Sequence, residues 1–540
     1  MKKIATLILA AGLVFGAASG ASAIDFKAKG QWIMSFDMGQ HGNFVGKMNG
    51  HRTPGFTKGQ DDFEARQRVR LQLDAVASES LSGTVYFEIG NSIWGKAVGN
   101  QNGGALGADQ TIIKLKNAYI DWLIPETEAK VRMGIQNITT PAYASGNSVL
   151  NDDVAGVVVS APINEMVGVT AYWARPYNDN YTGYTTPDGI ENYRQSYMDN
   201  MDMFGLLVPL NFEGAKVTPW GMYGMIGPNT FRDGPTSRNG DWWANGSNMG
   251  AGWSYANAGL FPVGGARHRD FSNANHDRSL SSYGQAWWGG ISGDITTYDP
   301  FRIAFDFTYG SVTWEDDGRL NRQGWFATLL AEYKLDWGIP GLYGWYSSGD
   351  DANPANGSER MPSLDGNNTN KYSNFAFDGD PYIARDAVIG DGMAGTWGIG
   401  ARLKDMSFIE DLKHTFRVNY IGGTNSPTMA KKMSLAGLWA NGSNLENAVG
   451  PYLDNGNVGT GTFGLGHEAM YLTTGDSALE FGLTNTYKMY DNFTVSLEAD
   501  YIALWLDTSK SAWGARHKYG QSIPQTNDAW NINASFVYAF

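Results

Sequence analysis

The stretch EARQRVRLQLDA, residues 64–75, sets Arg66, Arg68 and Arg70 two residues apart, with Val69, Leu71 and Leu73 on the other parity. A guanidinium presents a planar fork of donors suited to carboxylates and phosphates. Three in a row therefore form either a track for anions or a row of ion pairs, with Glu64 and Asp74 in reach as partners. EAKVRMGIQ repeats the device, with Lys130 and Arg132 set against Val131, Met133 and Ile135. Two adjacent acids, Asp152 and Asp153, are the only charges in NITTPAYASGNSVLNDDV. Other chemistry is poorly represented. The 7 histidines are scattered without metal-ligand spacing, and GHEAMY lacks the second histidine of a zinc-protease motif. GTGTFG at 459–464 fits a dinucleotide fingerprint only as letters, because no strand–helix context surrounds it. No catalytic residue, metal site or cofactor is expected, and the chain does not read as an enzyme. A net charge of −14 also argues against a nucleic-acid partner.

A period of two is the signature of a β-strand with unlike faces, so the question is what each face meets. The N-terminus has Lys2 and Lys3, an apolar run from Ile4 and the small-residue end Ala21-Ser22-Ala23. That order is a cleaved secretory signal peptide over 1–23, leaving 24–540 as one domain. The exported chain has no cysteine, so disulfides do not stabilise it. No second apolar segment approaches the ~20 residues of a membrane helix. The C-terminus, AWNINASFVYAF, nevertheless places Trp530, Ile532, Ala534, Phe536, Tyr538 and Phe540 on one face and ends in an aromatic residue. A terminal strand of this kind resembles the insertion signal of bacterial outer-membrane barrels, with Phe536, Tyr538 and Phe540 as its core. Low mean hydropathy does not oppose this, since lumen and lipid faces alternate and largely cancel.

About eighteen such segments follow one another, with sixteen as the alternative if two weak ones merge. Their connections alternate between short and long. ASES, PETE, EGA, TTYD, WGIP and MYDN are short; 39–62, 92–110, 139–153, 176–199, 228–283, 349–392, 425–476 and 508–526 are long, with 315–323 the shortest of that set. The expected fold is all-β: a transmembrane antiparallel up-and-down barrel with short periplasmic turns and long external loops. Trp122, Trp173, Trp314, Trp337, Trp505 and Trp530 fall near strand ends, where interfacial girdles sit. One segment resists: in TIIKLKNAYIDWLIP, Lys114 and Lys116 share a parity that Asp121 does not. A bulge, or contact with a neighbouring protomer, would resolve it. WANGSN occurs twice, at 243–248 and 439–444, and fits a repeated cap or turn. Loop 349–392 carries a surplus of acids, open either to plain solvation or to bridging by divalent cations among themselves or to lipopolysaccharide.

The start ASA/IDFKAKGQW, the segment FEARQRVRLQLDA, KNAYIDWLIP followed by KVRMGIQNITTP, and the end NASFVYAF together resemble the homotrimeric porin family of sulfate-reducing bacteria. The resemblance spans the mature chain, although loops 228–283 and 425–476 match by position only. It implies a trimer in outer-membrane lipid and lipopolysaccharide, with passive diffusion of small hydrophilic solutes and ions through a water-filled lumen. It also implies a third external loop folded inward, so that Asp152 and Asp153 would face Arg66, Arg68, Arg70, Lys130 and Arg132 across a constriction. Charged rings at a constriction filter ions by sign, and the basic surplus gives a weak anion preference. Facing lipid instead, each arginine would cost ~2–4 kcal/mol near the midplane. A general diffusion pore is the leading expectation. The alternatives are a solute-specific channel and a surface structural or adhesion protein.

Overall fold

The structure is a computed structural model. It describes residues 24–39, 62–97, 103–107, 113–178, 184–185, 191–192, 200–227, 230, 259–262, 269–270, 273–277, 282–315, 318–353, 355–364, 372–377, 383, 388–390, 392–429, 471–507 and 528–540. The expected signal peptide, the GTGTFG motif and both WANGSN copies lie outside the described residues.

Eighteen strands form one closed antiparallel barrel. They are β1 (Asp25–Gly39), β2 (Asp62–Ser78), β3 (Leu81–Trp94), β4 (Ile113–Leu123), β5 (Lys130–Thr139), β6 (Asn151–Pro162), β7 (Gly168–Asn178), β8 (Asn200–Leu207, continued by Leu210–Phe212) and β9 (Ala215–Ile226). Then come β10 (Gly284–Ile295), β11 (Phe301–Thr313), β12 (Arg322–Tyr333), β13 (Ile339–Ser347), β14 (Thr396–Ile409), β15 (Leu412–Gly423), β16 (Ser477–Tyr490), β17 (Phe493–Trp505) and β18 (Ala529–Ala539). Each strand pairs with its neighbours in sequence, and β1 closes on β18 in the register Gln31↔Ala539 to Gly39↔Asn531. The terminal Phe540 extends the seam: its N–H donates to Gly30 O at 3.0 Å and its carbonyl accepts from Gly30 N at 2.9 Å. A Cβ at Gly30 would sit 2.8 Å from the Phe540 ring, so this position requires glycine. Tight turns fall at one end, as at Glu213-Gly214 and Glu410-Asp411, where Gly214 and Asp411 take positive φ. The long connections all leave from the other end.

The outward face is apolar, with Leu115, Ile120, Met133, Phe204, Leu329, Leu342 and Ile399 exposed along it. Trp173, though exposed, sits at the middle of β7, whereas Trp122, Trp337 and Trp505 lie exposed near strand ends as expected. Trp314 does not. It is only 3% exposed and stacks on Phe261 inside the barrel, with ring centroids 5.0 Å apart. Among the described residues no helix is long and apolar enough to cross a membrane.

Trp314 belongs to a feature that strand periodicity did not announce. The half of the interior toward the long connections holds a hydrophobic core, mainly against β7 to β16 with a few residues of β5, β6, β17 and β18 at its margins. Inward residues of the wall (Met201, Met222, Trp288, Phe326, Leu330, Trp345) are buried against Val149, Leu260, Phe261, Met361, Leu364 and Phe377 from in-turned connections. Burying each large apolar side chain contributes roughly 2 kcal/mol, so these segments are packed as firmly as a domain core. Ile383, from the connection after β13, reaches Ile33 and Val537 on the opposite side of the barrel.

Candidate channel interior

The register β1–β2 pairs Ser35 with Arg66, Ile33 with Arg68 and Gln31 with Arg70, and Ser35 and Ile33 are buried inward residues. The arginine row therefore lies on the inner face, with Val69, Leu71 and Leu73 outward. It does not stand unpaired. Arg66 Nη2 lies 2.8 Å from Glu64, Arg70 Nη2 lies 2.8 Å from Glu88, and Arg68 Nε lies 3.7 Å from the same Glu88 carboxylate. Arg68 also donates to Asn91 Oδ1 at 2.5 Å. Asp74 accepts from Thr84 Oγ1 at 2.7 Å and from Gln72 at 2.8 Å instead of meeting an arginine.

The β4 anomaly resolves as a bulge. The β3–β4 register shifts between Tyr86↔Asn117 and Phe87↔Leu115, which leaves Lys116 as the extra residue. One inserted residue reverses the parity, so Lys114, opposite Glu88, and Asp121, opposite Arg132, share the inner face. Arg132 grips Asp121 through two bonds of 2.7 and 2.8 Å and lies 4.0 Å above the Tyr119 ring. Lys130 approaches the same carboxylate at 3.0 Å.

Asp152 and Asp153 are not on the in-turned loop. They open β6, opposite Ile138 and Asn137, because the ladder to β5 continues up to Thr139↔Asn151. The loop proper is 140–150, shorter than expected, and closes on Asn147, whose Oδ1 accepts the N–H groups of Val149 (2.9 Å) and Leu150 (3.0 Å). Asp153 is held by Lys116 at 2.5 Å and Asn117 at 2.7 Å. The structure thus gathers Arg66, Arg68 and Arg70 in one group and Lys130 and Arg132 in another, with Asp153 in a third. It does not oppose the acids to the arginines. Along this arc, six cations (Arg66, Arg68, Arg70, Lys116, Lys130, Arg132) share four carboxylates (Glu64, Glu88, Asp121, Asp153).

The expected inward fold of the third loop is what the structure has. Tyr143 OH meets Thr218 Oγ1 of β9 at 2.7 Å, and Pro141 O accepts from Ser292 of β10 at 3.0 Å. A cavity of about 430 Å³ separates this loop from β7–β9, with Thr170, Asn151, Thr218 and Lys216 on its lining. Lys216 Nζ lies 5.1 Å from the Tyr143 ring. A second in-turned segment, 372–377, lies within the connection 349–392, whose sequence shows only a surplus of acids. Tyr372 stacks on Tyr343 of β13 at 4.0 Å and bonds Thr328 of β12 at 2.9 Å.

The far wall has its own charges. Glu332 bridges Arg302 and Arg402 at 2.6 Å each, and Arg302 also meets Asp294 at 2.8 Å. Arg417 on β15 differs. Its Nη1 donates to Thr484 Oγ1 at 3.1 Å, its Nε meets no acceptor, and among the described residues it has no carboxylate within ion-pair distance. Its alternation with Val418 in FRVNYIGG was the available sequence signal, diluted by the many other inward arginines.

Loop acids that are described do not form a cation site. Asp350, 4% exposed, accepts from Ser358 Oγ at 2.5 Å, Glu359 N at 3.1 Å and Tyr471 OH at 2.6 Å. Burial pushes the Glu359 carboxyl above its ordinary range, and the nearby Asp350 and Asp351 push it further. The Tyr471 phenol is raised by complete burial and by Asp350. Among the described residues no group of His, Cys, Asp or Glu is placed to hold a metal. Asp365, Asp378, Asp380, Asp386 and Asp391 lie outside them.

No protein-family model matches the chain, and no curated protein matches it. Among solved structures it is similar to Acinetobacter baumannii OccAB3, at 8% identity over 96% of this chain and 100% of that one, with a TM-score of 0.47. It is also similar to Pseudomonas aeruginosa OccK2 (OpdF) in complex with glucuronate, at 10% identity over 96% and 98%, TM-score 0.46. Pseudomonas aeruginosa OpdK with vanillate aligns at 8% identity over 95% and 98%, TM-score 0.45.

Proposed function

We infer that the chain is a passive outer-membrane channel for a restricted set of small hydrophilic solutes. Its alternation of an apolar outer belt with a charged inner face, closed on itself, is the arrangement that satisfies every backbone group in lipid. The observation that separates a selective channel from a general diffusion pore is the occupied interior. In-turned segments bury the inner face of β7–β16 and extend to Ile33 and Val537. What remains for solutes is the half-exposed charged arc of β2–β5, where the six cations share four carboxylates and Lys114 and Asp74 add one charge of each sign. That surplus supports a weak anion preference, with Arg66, Arg68, Arg70, Lys130 and Arg132 as pore-lining groups; Asp152 and Asp153 lie beside them on β6. Phe536, Tyr538 and Phe540 act in insertion. The test is purified protein in planar bilayers and liposomes. Small, discrete conductance steps and swelling rates that discriminate solutes of equal size support the reading. Rates ordered by size alone would restore the general diffusion pore. Closed bilayers would favour a surface structural protein.

A further inference from the structure

Two buried inward carboxylates are bonded by in-turned chain. Asp306 on β11 and Glu480 on β16 are 5% and 1% exposed, and among the described residues neither has a basic side chain within ion-pair distance. A buried carboxylate is costly unless its oxygens are satisfied. Here the donors come from the in-turned chain itself. Asp306 accepts three consecutive backbone N–H groups of the 140–150 loop: Tyr143 at 2.7 Å, Ala144 at 2.9 Å and Ser145 at 3.0 Å. Glu480 does the same for the second segment, accepting from Ser373 Oγ at 2.7 Å, Phe375 N at 3.1 Å and Ala376 N at 3.0 Å. Its other oxygen is held to the wall by Asn419 Nδ2 at 2.7 Å. Successive N–H groups that converge on one anion form a concave cradle for negative charge, and such charge-assisted bonds are about twice as strong as neutral ones. Two such cradles, one of three N–H groups and one of two N–H groups with a serine hydroxyl, filled from two different strands, are a device for anchoring chain across the bore.

The two anchored segments belong to one body. Leu364 N, on the connection that carries 372–377, donates to Val149 O of the first loop at 2.9 Å. Ser363 N donates to Gly259 O at 3.0 Å. The in-turned chain therefore forms a crossbar with one latch at β11 and another at β16. We propose that Asp306 and Glu480 are the positioning residues that fix this crossbar, and through it the width of the passage and the size of solute admitted. They touch no solute; they act through the loops they hold. Because the crossbar is pinned at two places, release of one latch leaves it held by the other, and release of both frees it.

The proposal rests on the channel reading, and its test separates the two. Asp306→Ala, Glu480→Ala and the double variant are compared with the parent for single-channel conductance and for swelling with neutral sugars of graded size. Amide hydrogen exchange at Tyr143–Ser145 and Phe375–Ala376 is followed in parallel. Barrel integrity is scored by heat-modifiable migration. Each single variant is expected to lose exchange protection at its own cradle with a small rise in conductance. The double variant is expected to conduct about twofold more or better and to admit sugars the parent excludes, because bore dimensions set passage. Asp306→Asn with Glu480→Gln keeps one neutral acceptor at each site, tolerates folding better and gives an intermediate cut-off. A folded double variant with parental conductance and cut-off overturns the latches alone. A parent that inserts without conducting overturns the channel reading and the latches with it.

Discussion

Replacing Arg66, Arg68 and Arg70 together by glutamine removes three positive charges from one stretch of inner wall and leaves Glu64 and Glu88 behind. Glutamine retains a donor for each carboxylate, so the closed barrel is expected to assemble. The electrical consequence is larger than the structural one. A monovalent ion passing roughly 7 Å from a single wall charge feels about 0.6 kcal/mol in a water-like medium. Salt at 0.1 M, with a screening length near 10 Å, roughly halves that. Three lost charges then cost a permeant anion about 1 kcal/mol and favour a cation by about the same amount. The permeability ratio should therefore move toward cations by roughly tenfold or more, since each 1.4 kcal/mol is a factor of about ten. The assay is the zero-current potential across a planar bilayer in a salt gradient, parent against triple variant. At 1 M salt, where screening falls to about 3 Å, the two should converge. A triple variant that inserts, conducts and keeps the parental zero-current potential at low salt would show that the arginines serve Glu64 and Glu88 only. The row would then be a structural set of ion pairs outside the solute path.

Deletion of Phe540 removes both seam bonds to Gly30, and should reduce the folded fraction in outer-membrane preparations at unchanged unit conductance; normal insertion would refute the insertion role. Glu332→Ala removes the carboxylate that the buried Arg402 meets at 2.6 Å and one of the two carboxylates of Arg302, a loss of about 3–5 kcal/mol by analogy with broken buried pairs, read as a lower temperature for the heat-modifiable shift. Glu359 has its carboxyl raised in the folded chain, so its ionisation opposes folding of segment 350–360 at neutral pH and the penalty disappears as pH falls through that raised value. Glu359→Gln should accordingly increase hydrogen-exchange protection of that segment at pH 7, with the gain vanishing in acid; a gain independent of pH would refute the charge argument. Native mass measurement in mild detergent is expected to give a homotrimer, and a conducting species that is wholly monomeric would exclude it.

The wall was legible in the sequence because each strand of the β1–β5 arc meets different surroundings on its two faces. In RQRVRLQL the inner parity is charged and the outer apolar, and the structure keeps that division from Glu64 to Asp74. The β4 parity break left a bulge and a protomer contact both open, and the register shift at Lys116 shows the bulge. The crossbar was not legible in this way, since hydrogen bonds from Tyr143 to Asp306 or Phe375 to Glu480 join residues more than a hundred positions apart. Yet its imprint lies in the strands it covers. In β9, Trp220, Met222 and Ile226 point inward while Val217, Tyr223 and Met225 point outward; in β12, Phe326 and Leu330 face in while Trp325 and Leu329 face out. A strand apolar on both parities is covered on both faces. In a barrel with an apolar exterior, the second cover has to come from inside. Two-sided apolarity over β8–β13, against clean alternation over β1–β2, is thus a sequence signature of an occupied bore. Asp306 on β11, and Arg417 and Glu480 on the adjoining β15 and β16, sit on the covered side of the wall, where polar groups persist only if the in-turned chain or a passing solute gives them work.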